Sequence, residues 1–335
     1  SKRAEAFSLG YLGGKNLKLP ELKIGSFIAK IPIVQGGMAV KISTGLLAGT
    51  IASLGGVGVI GASGMDLSEL REEIKKAKEI ARNGLVGINI MFAAREFLGA
   101  VKTAISEGIG LIITGAGFSR DIFKIGKESN TPILPIVSSA RLAKTATMCG
   151  ADAIVVEGKE AGGHLGTDRS IEVILPEVRA VTNLPVIAAG GITDGCDIVK
   201  MFKLGANGVQ IATRFVLTPE CAASPEYKKV YQNARKEDVV IISSPVGMPG
   251  RAIKTKFVEK ILSKTAPKPI GCDYCLKKCS LEYCIVQALI NSQQGNIDEG
   301  IVFSGENVWK IKDRRIRPAA EIFHELIKEA EECKM

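Results

Sequence analysis

From Ile31 to Phe215 the chain alternates short, almost unbroken apolar runs with longer segments in which apolar residues recur every three or four positions. Eight of the short runs are predicted strands: 31–36, 57–61, 86–91, 111–114, 133–137, 153–157, 186–189 and 208–211. A run that is apolar at odd and even positions alike belongs to a strand buried on both faces, as in a parallel sheet covered by helices. The longer segments read as those helices. In 67–83, Leu70, Ile74, Ala77 and Ile80 form one stripe, with Glu72, Glu73, Lys75 and Lys76 outside it. Asp66 or Ser68 can cap its start. Segments 140–149 and 194–204 each run into a glycine, Gly150 and Gly205, the residue suited to a helix C-terminus. Eight strand–helix alternations predict a closed (β/α)8 TIM barrel, with an open doubly wound sheet as the competing architecture.

The alternation stops after Phe215. A polar stretch, 218–244, is predicted helical at 225–236. A turn-rich loop follows at 243–251, then a cluster of cysteines, and 318–332 reads as a final amphipathic helix. The implied organisation is an N-terminal extension 1–19, partly a leader, a barrel with its post-barrel segment at 20–257, and a cysteine-containing C-terminal extension at 258–335.

With 335 residues, the chain exceeds the roughly 250 of a simple barrel. Hydrophobic content of 46% and charged content of 24% are those of a globular protein. Thirty-seven glycines with only 5% aromatics suit tight turns and close backbone approach to a ligand, and poorly suit a platform for stacking bases. No apolar stretch reaches eighteen residues, so no membrane span is expected, and residues 1–16 lack the pattern of a signal peptide. The net charge of +9 is concentrated late, at Lys310, Lys312, Arg314, Arg315 and Arg317. It reads first as a solvated face, and otherwise as attraction to an acyl carrier, a coenzyme A thioester or RNA. Cys149, Cys196, Cys221 and Cys333 stand apart from one another, which argues against a disulfide framework and for a reducing, cytoplasmic setting.

The glycines fall where a barrel does its chemistry, at the C-terminal ends of strands. Gln35-Gly36-Gly37-Met38 follows the first strand, Ala161-Gly162-Gly163-His164 the sixth and Ala189-Gly190-Gly191-Ile192 the seventh, while Gln210-Ile211-Ala212-Thr213-Arg214 ends the eighth. Bare backbone N–H groups at the last two are suited to holding a phosphate. His164 is one of two histidines and sits in the predicted mouth, where an imidazole can take or give a proton near neutrality. His324 falls in the final helical pattern and is read as structural.

Taken with Pro32-Ile33-Val34 before the first glycine pair, Gly87-Ile88-Asn89-Ile90-Met91 and Glu157-Gly158-Lys159-Glu160, these segments resemble the nitronate monooxygenase family, formerly the 2-nitropropane dioxygenases, over roughly 20–257. That family also contains the flavin-dependent enoyl-acyl-carrier-protein reductase II. The resemblance implies an FMN site. Gly36, Gly37 and Met38 would lie against the ring system with Asn89 on its polar edge. Gly162, Gly163, Gly190, Gly191, Gln210, Ile211, Ala212 and Thr213 would hold the ribityl phosphate region. Glu157 stands where relatives often carry glutamine, and Ala212 replaces a frequent glycine. His164 would face the substrate. Two activities follow: oxidation of a nitronate, or reduction of an enoyl thioester with NAD(P)H as donor. A flavoprotein acting on an RNA base is a third reading, unsupported by any basic motif interleaved with aromatics. A small-molecule or acyl-thioester substrate is expected, an acyl carrier protein and a homo-oligomer are open, and nucleic acid and membrane are not expected as partners.

Cys272, Cys275, Cys279 and Cys284 give the spacing C-x2-C-x3-C-x4-C. Four thiolates so close in sequence suit a 4Fe–4S cluster or zinc, with incidental thiols or a reversible disulfide as alternatives.

Overall fold

The computed structural model describes residues 18–333, so the expected N-terminal extension, apart from its last two residues, lies outside the described residues. A hairpin of β1 (Leu22–Ile24) and β2 (Phe27–Ala29) turns at Gly25, whose φ of +56° favours glycine. The barrel then runs through β3 (Ile33–Gln35), β4 (Val57–Gly61), β5 (Leu85–Met91), β6 (Leu111–Gly115), β7 (Ile133–Val137) and β8 (Ile154–Glu157). After a two-residue strand outside the ring, β9 (Gly163–His164), it is completed by β10 (Val186–Ala189) and β11 (Gly208–Ile211), and β11 pairs back onto β3. All eight expected barrel strands are present and parallel.

Their apolar runs are explained by burial on both faces. On β8, Ala153 (just before the strand) and Val155 point into the barrel, while Ile154 and Val156 pack under the helices. The barrel interior is filled by Val34, Val57, Val59, Leu111, Ile113, Leu134 and Ile187. Leu22, Ile24 and Ala29 of the hairpin join the same cluster and plug the N-terminal end of the strands. The helix Leu67–Ala81 starts where expected, with the Asp66 carboxylate accepting the Glu69 N–H at 2.8 Å. No helix among the described residues is long and apolar enough to cross a membrane.

After β11 only one short helical turn, Thr213–Val216, follows. The eighth helical position around the barrel is filled from much later in the chain. The helix Ala319–Glu332 packs between Gly195–Lys203, which follows β10, and Gly45–Ser53, which follows β3. Phe323 and Leu326 are fully buried there, the Phe323 ring lying where a side chain at Gly56 would collide with it. Glu325 accepts from buried Arg214 at 3.1 Å and forms an ion pair with Arg317 at 2.6 Å.

Residues 217–318 therefore form an excursion that leaves the barrel after strand eight and returns to supply helix eight. Part of it was expected to be helix and loop alone. Instead β12 (Val239–Ser243), β13 (Pro249–Ile253) and β14 (Val302–Phe303) form a sheet whose fourth strand is β9. The turn formers at 243–251 mark only the tip at 244–248; Pro249 and Gly250 begin a strand because β9 and β12 pair with it on either side. The helix at 225–236 is shorter than expected, Pro225–Asn233.

Cys196 and Cys333 form a disulfide, which corrects the reading of both as isolated thiols. They are 137 residues apart in sequence, and only the return of the terminal helix beside Gly195–Lys203 brings their Cα atoms to 5.4 Å. The bond staples helix eight to helix seven. Cys333→Ser should lower the unfolding free energy in urea by about 2–4 kcal/mol, as expected for a crosslink closing a long loop. Reductant should have the same effect on the wild type and none on the variant. Equal stability of wild type and variant under oxidising conditions would show that the crosslink does not form in solution.

Candidate active site

At the C-terminal end of the barrel strands lies a cavity of about 410 Å³, within the range of small-molecule sites. The structure brings the residues singled out at five separate strand ends together on its wall. Gly36, Gly37 and Met38 come from the end of β3, Asn89 from β5, and Glu157 from β8 with Gly162, Gly163 and His164 in the following loop. Gly190 and Gly191 follow β10, and Gln210, Ile211, Ala212 and Thr213 come from β11 and its turn. The glycines have reasons to be glycine. Gly190 and Gly191 sit at φ +107° and +76°, and a side chain on Gly162 would meet the backbone of Ser304 at 2.5 Å.

The rest of the wall was not visible from the strand rhythm. Met248, Leu289, Phe303, Ser304 and Gly305 come from the excursion and roof the cavity, with Tyr227 and Tyr231 behind them. Both tyrosine hydroxyls donate to the Phe303 carbonyl, at 3.4 and 2.5 Å, and the rings stack at 5.7 Å. Burial holds both phenols well above the ordinary range, so they serve as neutral donors. The helical spacing of Tyr227 and Tyr231 was the one local signal for this pair. Arg251 is buried on β13 and donates to the carbonyls of Ala161 (3.1 Å) and Lys159 (2.6 Å), fixing the loop that carries the second glycine pair.

His164 is held from three sides. Its backbone pairs with Gly250, Phe303 packs edge-on at 5.2 Å between ring centres, and Nε2 is 2.8 Å from Ser244 Oγ. Burial lowers its pKa from 6.5 to about 4, so the imidazole is neutral at physiological pH. Glu157 is open to the cavity but walled off from bulk water. Burial alone pushes its carboxyl from 4.5 up to about 8, leaving it predominantly a neutral acid at pH 7. The Gln210 Oε1 is buried without a hydrogen-bond partner. A neutral donor at Glu157, an unsatisfied acceptor at Gln210 and glycine-lined turns at β10 fit a ligand with a polar heterocyclic edge and a phosphate, as a flavin nucleotide has.

The cysteine cluster is not brought into this site. Cys272, Cys275 and Cys279 are exposed, Cys284 is half-buried, and all four are free thiols. Among the described residues no group of three or more Cys, His, Asp or Glu is placed to hold a metal ion. Two of the sulfurs accept backbone hydrogen bonds locally. Cys284 Sγ accepts the Gln287 N–H at the start of the helix Ile285–Gln293, and Cys272 Sγ accepts that of Tyr274, both at 3.4 Å.

The two displaced pKa values set opposite slopes. The unfolded chain protonates His164 more readily, so that residue makes stability rise with pH between about 4 and 6.5. The folded chain keeps a proton on Glu157 that the unfolded chain loses, so that residue makes stability fall between 4.5 and about 8. Above 6.5 only the second slope remains. The thermal midpoint should therefore fall from pH 6.5 to 8, and Glu157→Gln should flatten that fall; an unchanged slope in the variant would show that Glu157 ionises normally.

The nitronate monooxygenase family model matches residues 21–98 and 82–329. An octahydroindene-carboxyl-CoA dehydrogenase of Mycobacterium tuberculosis is 33% identical over 235 residues, 69% of this chain and 65% of that protein, so the match spans just under two thirds of the relative. A probable nitronate monooxygenase of Staphylococcus saprophyticus is 28% identical over 73% of this chain and 81% of its own. Among solved structures, FabK from Thermotoga maritima superposes with a TM-score of 0.81 and 32% identity, covering 93% of this chain and 94% of that one. The chain thus belongs to the nitronate monooxygenase family of flavin-dependent oxidoreductases.

Proposed function

We propose that the protein is an FMN-dependent oxidoreductase acting at the Cα–Cβ bond of an acyl thioester. The observation that carries this reading is the charge of the cavity. Its wall includes two acidic residues, Glu157 and Glu160, but no lysine or arginine, and its one imidazole is held neutral. A nitronate is an anion and would enter beside the flavin without a lysine or arginine to pair with, so its desolvation would go without a compensating cation. An acyl thioester is neutral at its reacting carbons. Its chain finds apolar cover in Phe118, Ile136, Met248 and Leu289. The similarity to a CoA-ester dehydrogenase and to FabK, an enoyl-acyl-carrier-protein reductase, points the same way.

In this reading Gly190, Gly191, Ala212 and Thr213 would hold the phosphate of FMN, and Met38, Asn89, Glu157 and Gln210 would meet its ring system. FMN, when bound, supplies the hydride chemistry. The protein's own part is to orient the acyl chain under the excursion sheet, to exclude water, and to hold the proton exchanged at Cα on His164.

Oxidation of a nitronate is the second reading, favoured by the family match itself. Anaerobic assay of crotonyl-CoA with NADPH, and of butyryl-CoA with an artificial electron acceptor, against aerobic assay of propyl nitronate, separates the two. Turnover of either thioester is expected, with His164→Ala lowering it by about 10²- to 10⁴-fold, the usual worth of a general acid–base group. Turnover of the nitronate alone would overturn the proposal.

A further inference from the structure

The turn after β10 carries backbone donors that no backbone carbonyl takes up. Gly190 and Gly191 sit at φ +107° and +76°, and among the described residues no carbonyl accepts from the N–H of Gly190, Gly191 or Ile192. The same holds for the N–H groups of Ala212 and Thr213 at the end of β11. Successive N–H groups in such turns form a concave donor set suited to an anion. A segment from far downstream shapes this one. Gly305, Glu306 and Asn307 make one hydrogen bond to each of the three loops at this end of the cavity. The Gly305 N–H lies on Thr213 Oγ1 at 3.3 Å, the Glu306 N–H on the Glu160 carbonyl at 3.0 Å, and the Asn307 side-chain amide donates to the Gly191 carbonyl at 2.9 Å.

A trans peptide is planar, so its C=O and N–H point in opposite directions. Gly191 and Ile192 are on the cavity wall, whereas Asn307 is behind the turn and off that wall. With the Gly191 carbonyl drawn toward Asn307, the Ile192 N–H of the same peptide is turned the other way, toward the cavity. A pair of glycines could otherwise hold this peptide in more than one orientation, since glycine is permissive at positive and negative φ alike. The approach also needs glycine at 191, where a side chain would stand 3.1 Å from Asn307 Nδ2 and 3.0 Å from Glu160 Cβ. Thr213 is set in a similar way. Its Oγ1 accepts from Gly305, which leaves the hydroxyl proton to donate. We propose that Asn307 is the positioning residue of the phosphate site, fixing the Gly190–Gly191 turn so that its N–H groups converge on the phosphate of FMN. The inference rests on the FMN reading given above.

The test titrates the full-length protein, stripped of flavin, with FMN and with riboflavin, which lacks the phosphate, and follows the quenching of flavin fluorescence. Wild type should bind FMN far more tightly than riboflavin. Asn307→Leu, close to asparagine in volume, and Asn307→Ala should each weaken FMN by about 10- to 100-fold, the usual contribution of a hydrogen bond to a charged group. Riboflavin affinity should move by less than about twofold in both, because no donor to a charged group is lost to it. That second titration also reports whether the ring site is still folded. The 31P resonance of bound FMN should shift toward that of the free nucleotide in both variants. FMN affinity unchanged in both, or FMN and riboflavin weakened alike, would overturn the role of Asn307 and leave the FMN site standing. A wild type that binds neither flavin, or binds riboflavin as tightly as FMN, would sink the FMN reading itself, and the role of Asn307 with it.

Discussion

Two backbone pairs, Gly163 with Arg251 and His164 with Gly250, join the loop after the sixth barrel strand to a sheet built from residues far downstream. Most of the site depends on them. They fix the main chain at the histidine and bring Phe303 and Ser244 against its ring. They also place Arg251 where it can take up the carbonyls of Lys159 and Ala161. Without that pairing the loop of a Gly-Gly-His sequence would have wide conformational freedom, since glycine gives up more backbone entropy on ordering than any other residue. The excursion between strand eight and helix eight thus does structural work at the mouth that the barrel strands cannot do themselves.

Desolvation governs the chemistry of the cavity. The roof of Met248, Leu289 and Phe303 keeps bulk water from Glu157 and His164. The same burial acts on them in opposite charge states, favouring the protonated acid and the unprotonated imidazole. The result is a neutral carboxyl and a neutral imidazole on the same cavity wall. On the proposed thioester reading, such a wall discriminates against ions by the cost of burying them rather than by attraction. The basic charge of the chain lies elsewhere, in the exposed or externally paired Lys310, Lys312 and Arg315.

What the sequence made legible follows from the range of the interactions concerned. Barrel strands are recognisable because both faces are buried, so their apolar runs are continuous and need no partner to be read. Site residues are recognisable because a barrel puts strand ends on one face, so glycines spread from Gly36 to Gly191 must converge. The small sheet is different. Its Val239-Val240-Ile241-Ile242 run has β-branched residues and pairs with Pro249–Ile253, but the other strands on Pro249–Ile253 are two residues each, at 163–164 and 302–303, too short to leave a pattern. Pairing of Cys196 with Cys333 was hidden for the same reason, since it follows from the terminal helix being helix eight of the barrel, a fact of topology. Ser244 and Phe303 had no local signature at all.

The cysteine segment shows how compositional signals and structural roles can separate. Spacing drew attention to its four sulfurs, yet the groups that couple it to the site are others: the Tyr283 hydroxyl on the Ser243 carbonyl and the Ser280 N–H on the Pro245 carbonyl. On its outer side, Arg95 and Lys277 N–H groups bond to Cys275 and Ala93 carbonyls, and the Lys277 ammonium lies 3.7 Å from the centre of the Phe92 ring, over the loop that follows β5. The segment therefore bridges the loop after β5 to the turn that holds Ser244. A change in its conformation would first reach the turn at 243–245, through Tyr283 and Ser280, because the barrel strands are packed on both faces.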